Sequence, residues 1–245
     1  MIQVIGKEHV MEPALSLISE SQDFLQFLDG WMAALPEFDL DAGFTHPERT
    51  AIISVDVIEG FCSQGPLASP RVGQIVEPIA RLLRETWGAG LRQIVLVQDT
   101  HEPEAVEFAS WPVHCVRGSD ESQAVGAIRE LPFFDRITVF PKNSISSFLN
   151  TGLNGWLAEH PELDTFIVVG DCTDLCTYQL AMHLRLDANA RQLQRRVILP
   201  AECTDTYDRP VQTAQQEGGL PHPASLLHAV FLYHMALNGI EVVSY

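Results

Sequence analysis

Basic side chains are scarce in this sequence: 15 Lys+Arg stand against 32 Asp+Glu over 245 residues, a formal net charge of −17. So acidic a surface repels phosphate backbones and anionic lipid, which argues against nucleic-acid or membrane-surface binding. No apolar run approaches the ~20 residues of a bilayer span. The start, MIQVIGKEHVMEP, has no basic region, apolar core or small-residue cleavage site, so no export is expected. Five cysteines (62, 115, 172, 176 and 203) are too few and too scattered for a disulfide scaffold. Their odd number fits reduced thiols in a cytoplasmic protein, with at least one free for chemistry. Internal repeats, low-complexity tracts and phosphate loops of the GxGxxG or GxxxxGK[ST] type are all missing.

What is present is a folded chain, 46% hydrophobic and 19% charged. Apolar β-branched runs recur at Ala51–Val57, Gln93–Asp99, Arg136–Phe140, Thr165–Gly170, Arg196–Leu199 and Ile240–Ser244. Most are continuous rather than alternating, as in strands covered on both faces. Helical stripes lie between them at Pro70–Trp87, Glu121–Leu131, Leu175–Asn189 and Pro223–Leu237. The alternation predicts an α/β fold: three layers, α-β-α, around a mostly parallel sheet of about six strands. Ligands in such sheets gather at the carboxyl ends of the strands. Residues 1–48 read as a helical extension (amphipathic Ala14–Leu28, then Trp31–Leu35) packed on a main domain of residues 49–245. Gln215–Pro223 reads as a loop.

Four strand ends carry candidate chemistry. The first ends in Val55-Asp56-Val57, where a buried carboxylate needs compensation unless Asp56 merely caps a turn. The second ends in Asp99-Thr100-His101, with Trp111-Pro112-Val113-His114-Cys115 soon after. Asp99 and His101 project to one side of an extended chain, and a loop can return His114 to them. One carboxylate and two imidazoles suit Zn²⁺, Fe²⁺ or Mn²⁺; an Asx-turn with two surface histidines is the alternative. The third end carries Lys142, a binding cation or an exposed loop residue. The fourth runs through Asp171-Cys172-Thr173-Asp174-Leu175-Cys176 into a helix. A thiol at a helix N-terminus sits where the macrodipole and unpaired N–H groups stabilise a thiolate and hold an oxyanion. A small buried hydrophobe or a Cys172/Cys176 metal pair are the other readings.

Together these motifs resemble the isochorismatase-like cysteine hydrolases and, within them, the nicotinamidases. VDVIEGFC is similar to the segment that activates the nucleophile, QDTH…WPVHC to the metal segment, and VVGDCTDLC to the nucleophile turn. WPVHCVRGSDES and HPASLLHAVFLY are closest to the longer plant-type branch, and the likeness runs from about Ala51 to the C-terminus. Relatives that cleave isochorismate or carbamoyl compounds generally lack the metal segment, so its presence favours a nicotinamidase. Where many nicotinamidases place a further histidine, this chain reads Glu102-Pro103-Glu104-Ala105-Val106-Glu107, which leaves Glu107 or water as the replacement ligand.

The resemblance implies a mechanism. Cys176 attacks the carboxamide of nicotinamide, Asp56 shuttles the proton, and Lys142 holds the two acidic groups together and keeps Asp56 ionised. The N–H groups of Thr173 and Cys176 form the oxyanion hole, with a cis peptide before Thr173. A divalent metal, zinc first, is held by Asp99, His101 and His114 and orients the pyridine ring. Phe61 and Trp111 sandwich that ring. The implied function is hydrolysis of nicotinamide to nicotinic acid and ammonia in NAD salvage, by an enzyme that acts on a small molecule and self-associates as many relatives do. His183, His222, His228 and His234 are read as helix-face or loop residues.

Overall fold

The structure is a computed structural model that describes residues 16–39 and 46–245. Ala14 and Leu15 of the amphipathic segment, and residues 40–45 of the connection after it, lie outside the described residues. The chain divides into two compact units between Ala34 and Leu35. Among its described residues the first holds helix α1 (Leu17–Ala33), which joins most of the two predicted N-terminal segments without a break between them. The second starts at Leu35, where Phe38 N–H donates to Ser244 O (2.8 Å) and Ser244 N–H to Pro36 O (2.9 Å). No helix among the described residues is long and apolar enough to cross a membrane.

The larger unit is built on strands β1 (Thr50–Val55), β2 (Gln93–Asp99), β3 (Thr138–Lys142), β4 (Thr165–Asp171), β5 (Arg196–Pro200), β6 (Thr204–Asp205) and β7 (Glu241–Val243). Its longer helices are α2 (Val76–Gly88), α3 (Leu153–Glu159), α4 (Cys176–Arg191), α5 (Val211–Glu217) and α6 (Ala224–Leu237). The sheet runs β3-β2-β1-β4-β5-β7, with β6 beside the end of β4, and its pairings are parallel. That makes seven strands rather than about six; β6 is a two-residue strand too short to show as an apolar run. One sheet face packs Ile52, Ile94, Leu96, Ile167, Val169 and Ile198 against the buried stripe of α2, Ile79, Leu82 and Leu83. On the other, α4 lies along β4 and β5.

Several local expectations shift for identifiable reasons. The predicted Pro70–Trp87 helix is a single turn, Pro70–Gly73, followed by α2. A continuous helix would set the ring of Pro78 against the carbonyl of Gln74, whereas in the first turn of a new helix proline is harmless. Glu121–Leu131 forms only a 3₁₀ turn (Asp120–Ser122) and one helical turn (Gly126–Arg129). Its middle instead pairs with the exit of β1, through Glu59 N–H to Gln123 O (2.9 Å) and Val125 N–H to Val57 O (3.2 Å). β3 extends through Pro141 because it is an edge strand, where a missing N–H is tolerated. The extension places Lys142 in the sheet instead of a loop. α5 runs into the predicted 215–223 loop, which begins at Gly218.

Candidate active site

The chain adds strands outward from β1 through β2 to β3, then returns to lay β4 on the other side of β1. The carboxyl ends of β1 and β4 therefore form a topological switch point, the preferred ligand position in open α/β sheets. Asp56 leaves β1 there and Cys176 opens α4 just beyond β4. The two strands approach closely: a Cβ on Gly170 would lie 1.9 Å from Val55 O, and its φ is +126°. Only glycine serves at that position.

Asp56 itself adopts φ 56°, in the left-handed region that Asp tolerates better than most residues. Its N–H donates to Val97 O (2.9 Å), and its Oδ1 accepts the N–H of Asp99 (2.8 Å). Asp99 and Lys142 are lateral partners across β2 and β3, so their side chains share a sheet face. The fully buried Lys142 Nζ lies 2.7 Å from Asp56 Oδ2, 2.5 Å from Asp99 Oδ1, 3.1 Å from Ser144 O and 3.6 Å from Cys176 Sγ. One ammonium thus gathers two carboxylates and a thiol.

The charges respond accordingly. Burial pulls the pKa of Lys142 down, but Asp56 and Asp99 outweigh it and hold the ammonium well above the ordinary lysine value. Burial and the charge of Asp99 push Asp56 up to about 7 against the pull of Lys142. Burial also works to raise Asp99, yet Lys142 and His101 keep it below its ordinary value. Two like charges on one cation divide in this way, one ionised and the other sharing a proton. Burial pushes the Cys176 thiol well up, Lys142 opposes, and the two carboxylates add to the rise. Burial and the two carboxylates thus work against the thiolate that the helix terminus and Lys142 favour.

A second cluster shares Asp99. One ligand atom from each of Asp99, His101 and His114 lies within 4.8 Å of the others, and all three residues are buried. The return of His114 is secured by strand-like pairing of its loop with the end of β2: His101 N–H donates to Cys115 O (2.9 Å) and Arg117 N–H to His101 O (2.8 Å). His101 Nδ1 donates to Asn143 Oδ1 (2.9 Å) and His114 Nδ1 to Pro112 O (2.7 Å). These bonds leave both Nε2 atoms for a ligand. His101 Nε2 is buried without a hydrogen-bond partner, 3.6 Å from Asp99 Oδ2. A buried imidazole nitrogen facing a carboxylate and a second imidazole fits a divalent cation.

Three expectations need correction. Glu107 stands outside this cluster: residues 106–109 form a 3₁₀ turn that presents Phe108 instead, its ring 5.4 Å from His101 and 5.6 Å from His114. Thr173 cannot offer its N–H to an oxyanion, because β6 draws that group to Asp205 O (3.0 Å). The cis bond also falls one residue earlier, between Asp171 and Cys172. Of the ring-binding candidates, Phe61 packs on His114 (5.7 Å) and Trp111 meets Tyr207 (6.3 Å). The Cys172 thiol joins neither ligand cluster among the described residues. The sequence reading missed Phe108, Asn143 and Tyr207.

Residues 50–218 match the Isochorismatase domain family, and the chain belongs to that family. Within it the resemblance is to nicotinamidases. The chain is 30% identical to Nicotinamidase 1 of Arabidopsis thaliana over 210 residues, 79% of this chain and 84% of that protein. It is 32% identical to a nicotinamidase of Acinetobacter baylyi over 208 residues, 73% of this chain and 92% of that protein. Its fold is shared with a pyrazinamidase of Pyrococcus horikoshii in complex with zinc, at a TM-score of 0.63 and 22% identity, over 80% of this chain and 99% of that one.

Proposed function

We propose that this protein, an amide hydrolase acting on a C–N bond other than a peptide bond, converts nicotinamide to nicotinic acid and ammonia and so serves NAD salvage. The observation that carries the reading is Lys142 Nζ in contact with Asp56, Asp99 and Cys176, with Asp99 also facing the two imidazoles. It supports a reading in which a nucleophile, a proton carrier and a ring-orienting cation surround one point.

In this mechanism Asp56, as carboxylate, takes the thiol proton while Cys176 sulfur bonds to the carboxamide carbon. The oxyanion is received by the N–H groups of Cys172, which follows the cis bond, and of Cys176, which opens α4 and has no carbonyl one turn back in its own helix. Protonated Asp56 passes its proton to the departing nitrogen, and ammonia leaves as the thioester forms. Asp56 then deprotonates a water, which opens the thioester to the carboxylic acid and restores the thiol. Lys142 stays charged throughout and keeps the acidic groups in register. Asp99, His101 and His114 would hold the cation, zinc first and iron or manganese as alternatives. When bound it would orient the substrate through the pyridine nitrogen. Phe61 and Trp111 flank the ring.

The test is ammonia release from nicotinamide by the wild-type protein and by Cys176→Ala. Release by the first and not the second is expected. Hydrolysis of another amide with nicotinamide untouched would overturn the substrate, and silence on every amide would point to a binding role.

A further inference from the structure

His222 and His228, which look in sequence like loop and helix-face residues, converge on the turn that carries Cys176. His222 precedes α6 and is fixed by reciprocal backbone bonds with Arg209, at 2.9 and 2.8 Å. Its Nδ1 donates to Tyr207 O (2.7 Å), its Nε2 meets Asp174 Oδ2 (2.8 Å), and its ring stacks on Tyr207 at 3.8 Å. The other oxygen of Asp174 accepts the hydroxyl of Thr206 (2.6 Å). His228, in the second turn of α6, places Nδ1 2.8 Å from Thr173 Oγ1, which also lies 3.2 Å from Thr204 Oγ1. Side chains in this network are little exposed: 6% for Asp174, 12% for His222 and 13% for His228.

Thr173 and Asp174 thus sit between the two residues whose N–H groups would face an oxyanion, and one imidazole grips each of them. The turn's internal support is slight. Leu175 and Thr177 both donate to Cys172 O (3.1 Å each), and Leu175, at φ −119° and ψ −101°, is not yet helical. From outside, one backbone bond, Thr173 N–H to Asp205 O (3.0 Å), holds the turn; the bonds from His228, Thr206 and His222 are to its side chains.

We propose that His222 and His228 are positioning residues for amide hydrolysis: they clamp Asp174 and Thr173, and so set the Cys176 thiol and the neighbouring N–H groups against Asp56. Neither touches reacting atoms. The proposal rests on Cys176 being the nucleophile, as argued above.

The test compares His228→Leu and His222→Leu, which remove the grips, with His228→Asn and His222→Gln, which keep a donor near the lost ring nitrogen. Two quantities are read on protein shown to be folded by circular dichroism. One is kcat and KM for nicotinamide. The other is the rate at which iodoacetamide alkylates Cys176, followed by mass spectrometry, which needs no substrate. Misplacing a reacting group by about 1 Å costs on the order of 10²-fold, so each leucine variant should lose roughly that factor in kcat with KM within about twofold. The alkylation rate should move with it, and the amide variants should recover most of the loss. Thr173→Val, which deletes the hydroxyl His228 grips, should reproduce His228→Leu and add little to it, and it decides the matter if the leucine variants do not fold. Wild-type kcat and alkylation in folded leucine or valine variants would overturn the clamp. So would a loss that the amide variants fail to recover. If the wild type leaves nicotinamide intact, the substrate reading falls while the alkylation arm still decides the clamp.

Discussion

The two clusters that share Asp99 differ in completeness. Around Lys142 the charges answer one another: an ammonium faces two carboxylates, a carbonyl and a thiol. Around His101 they do not: Nε2 is buried with no partner, and its neighbours are an acid and another imidazole. The first arrangement pairs its charges with protein groups, whereas the donor set of the second, an acid and two imidazoles, fits a divalent cation. Asp99 belongs to both, with one oxygen on Lys142 and the other toward His101. Asp99 is thus the side chain through which a change in one cluster would reach the other.

The largest expected effect breaks the first cluster at its sulfur. Cys176→Ala should reduce turnover by on the order of 10⁴-fold or more, and Asp56→Asn added to it should cost little further, since groups that act as a unit are not additive. Single-turnover assays of the two single variants and the double variant check this; independent, multiplying losses would mean that the two residues do not cooperate. Next is Lys142→Met. Deleting the ammonium leaves Asp56 and Asp99 buried side by side, a loss of about 3–5 kcal/mol for a broken buried pair. Urea denaturation should show it, alongside abolished activity. A stability unchanged by the methionine would mean that the carboxylates do not depend on that charge.

The second cluster should break differently. Chelation or His101→Ala should raise KM for nicotinamide far more than for benzamide, which has the amide but no ring nitrogen. Equal losses on the two substrates would show that the cation does not read the pyridine. Asn143→Ala sharpens the point from one layer out. It frees the ring that Asn143 orients, and metal affinity measured by competitive chelation should fall about 10- to 100-fold.

How legible these regions were in sequence follows from the range of the contacts that make them. Asp56 and Asp99 stood out because each lies at the end of a continuous apolar run, and Cys176 because it opens the helix after one; a parallel sheet brings such ends together. Lys142 taken alone read equally as an exposed loop residue, because lysine is usually solvated, although it directly follows an apolar run and is one of only two lysines in the chain. The expectation that Thr173 offers its N–H failed because the fate of that group is decided by β6, whose two residues carry no periodic signal. His222 and His228 were invisible as site residues because their partners lie 48 and 55 positions away, across a layer rather than along a strand. Alternation implied a mostly parallel sheet of about six strands, but neither its order nor the seventh strand, β6. Where side chains at strand ends turn next was not.

The smallest effect tests whether Asp99 couples the clusters. Asp56 must be ionised to take a proton, and with its pKa raised to about 7 the competent carboxylate is lost as the pH falls through that value. Part of the rise comes from the negative charge of Asp99, second only to burial. A divalent cation held by Asp99 would offset that repulsion, so its addition should move the Asp56 titration to lower pH, by about 1 unit or more. The measurement is a carboxyl ¹³C titration in the Cys176→Ala protein with and without zinc, the Asp56 signal being assigned by its loss in Asp56→Asn. A titration that stays in place when zinc binds would separate the two clusters electrically. Asp99 would then act on Asp56 only through the hydrogen bond from its backbone N–H, and the metal's part would be confined to holding the ring.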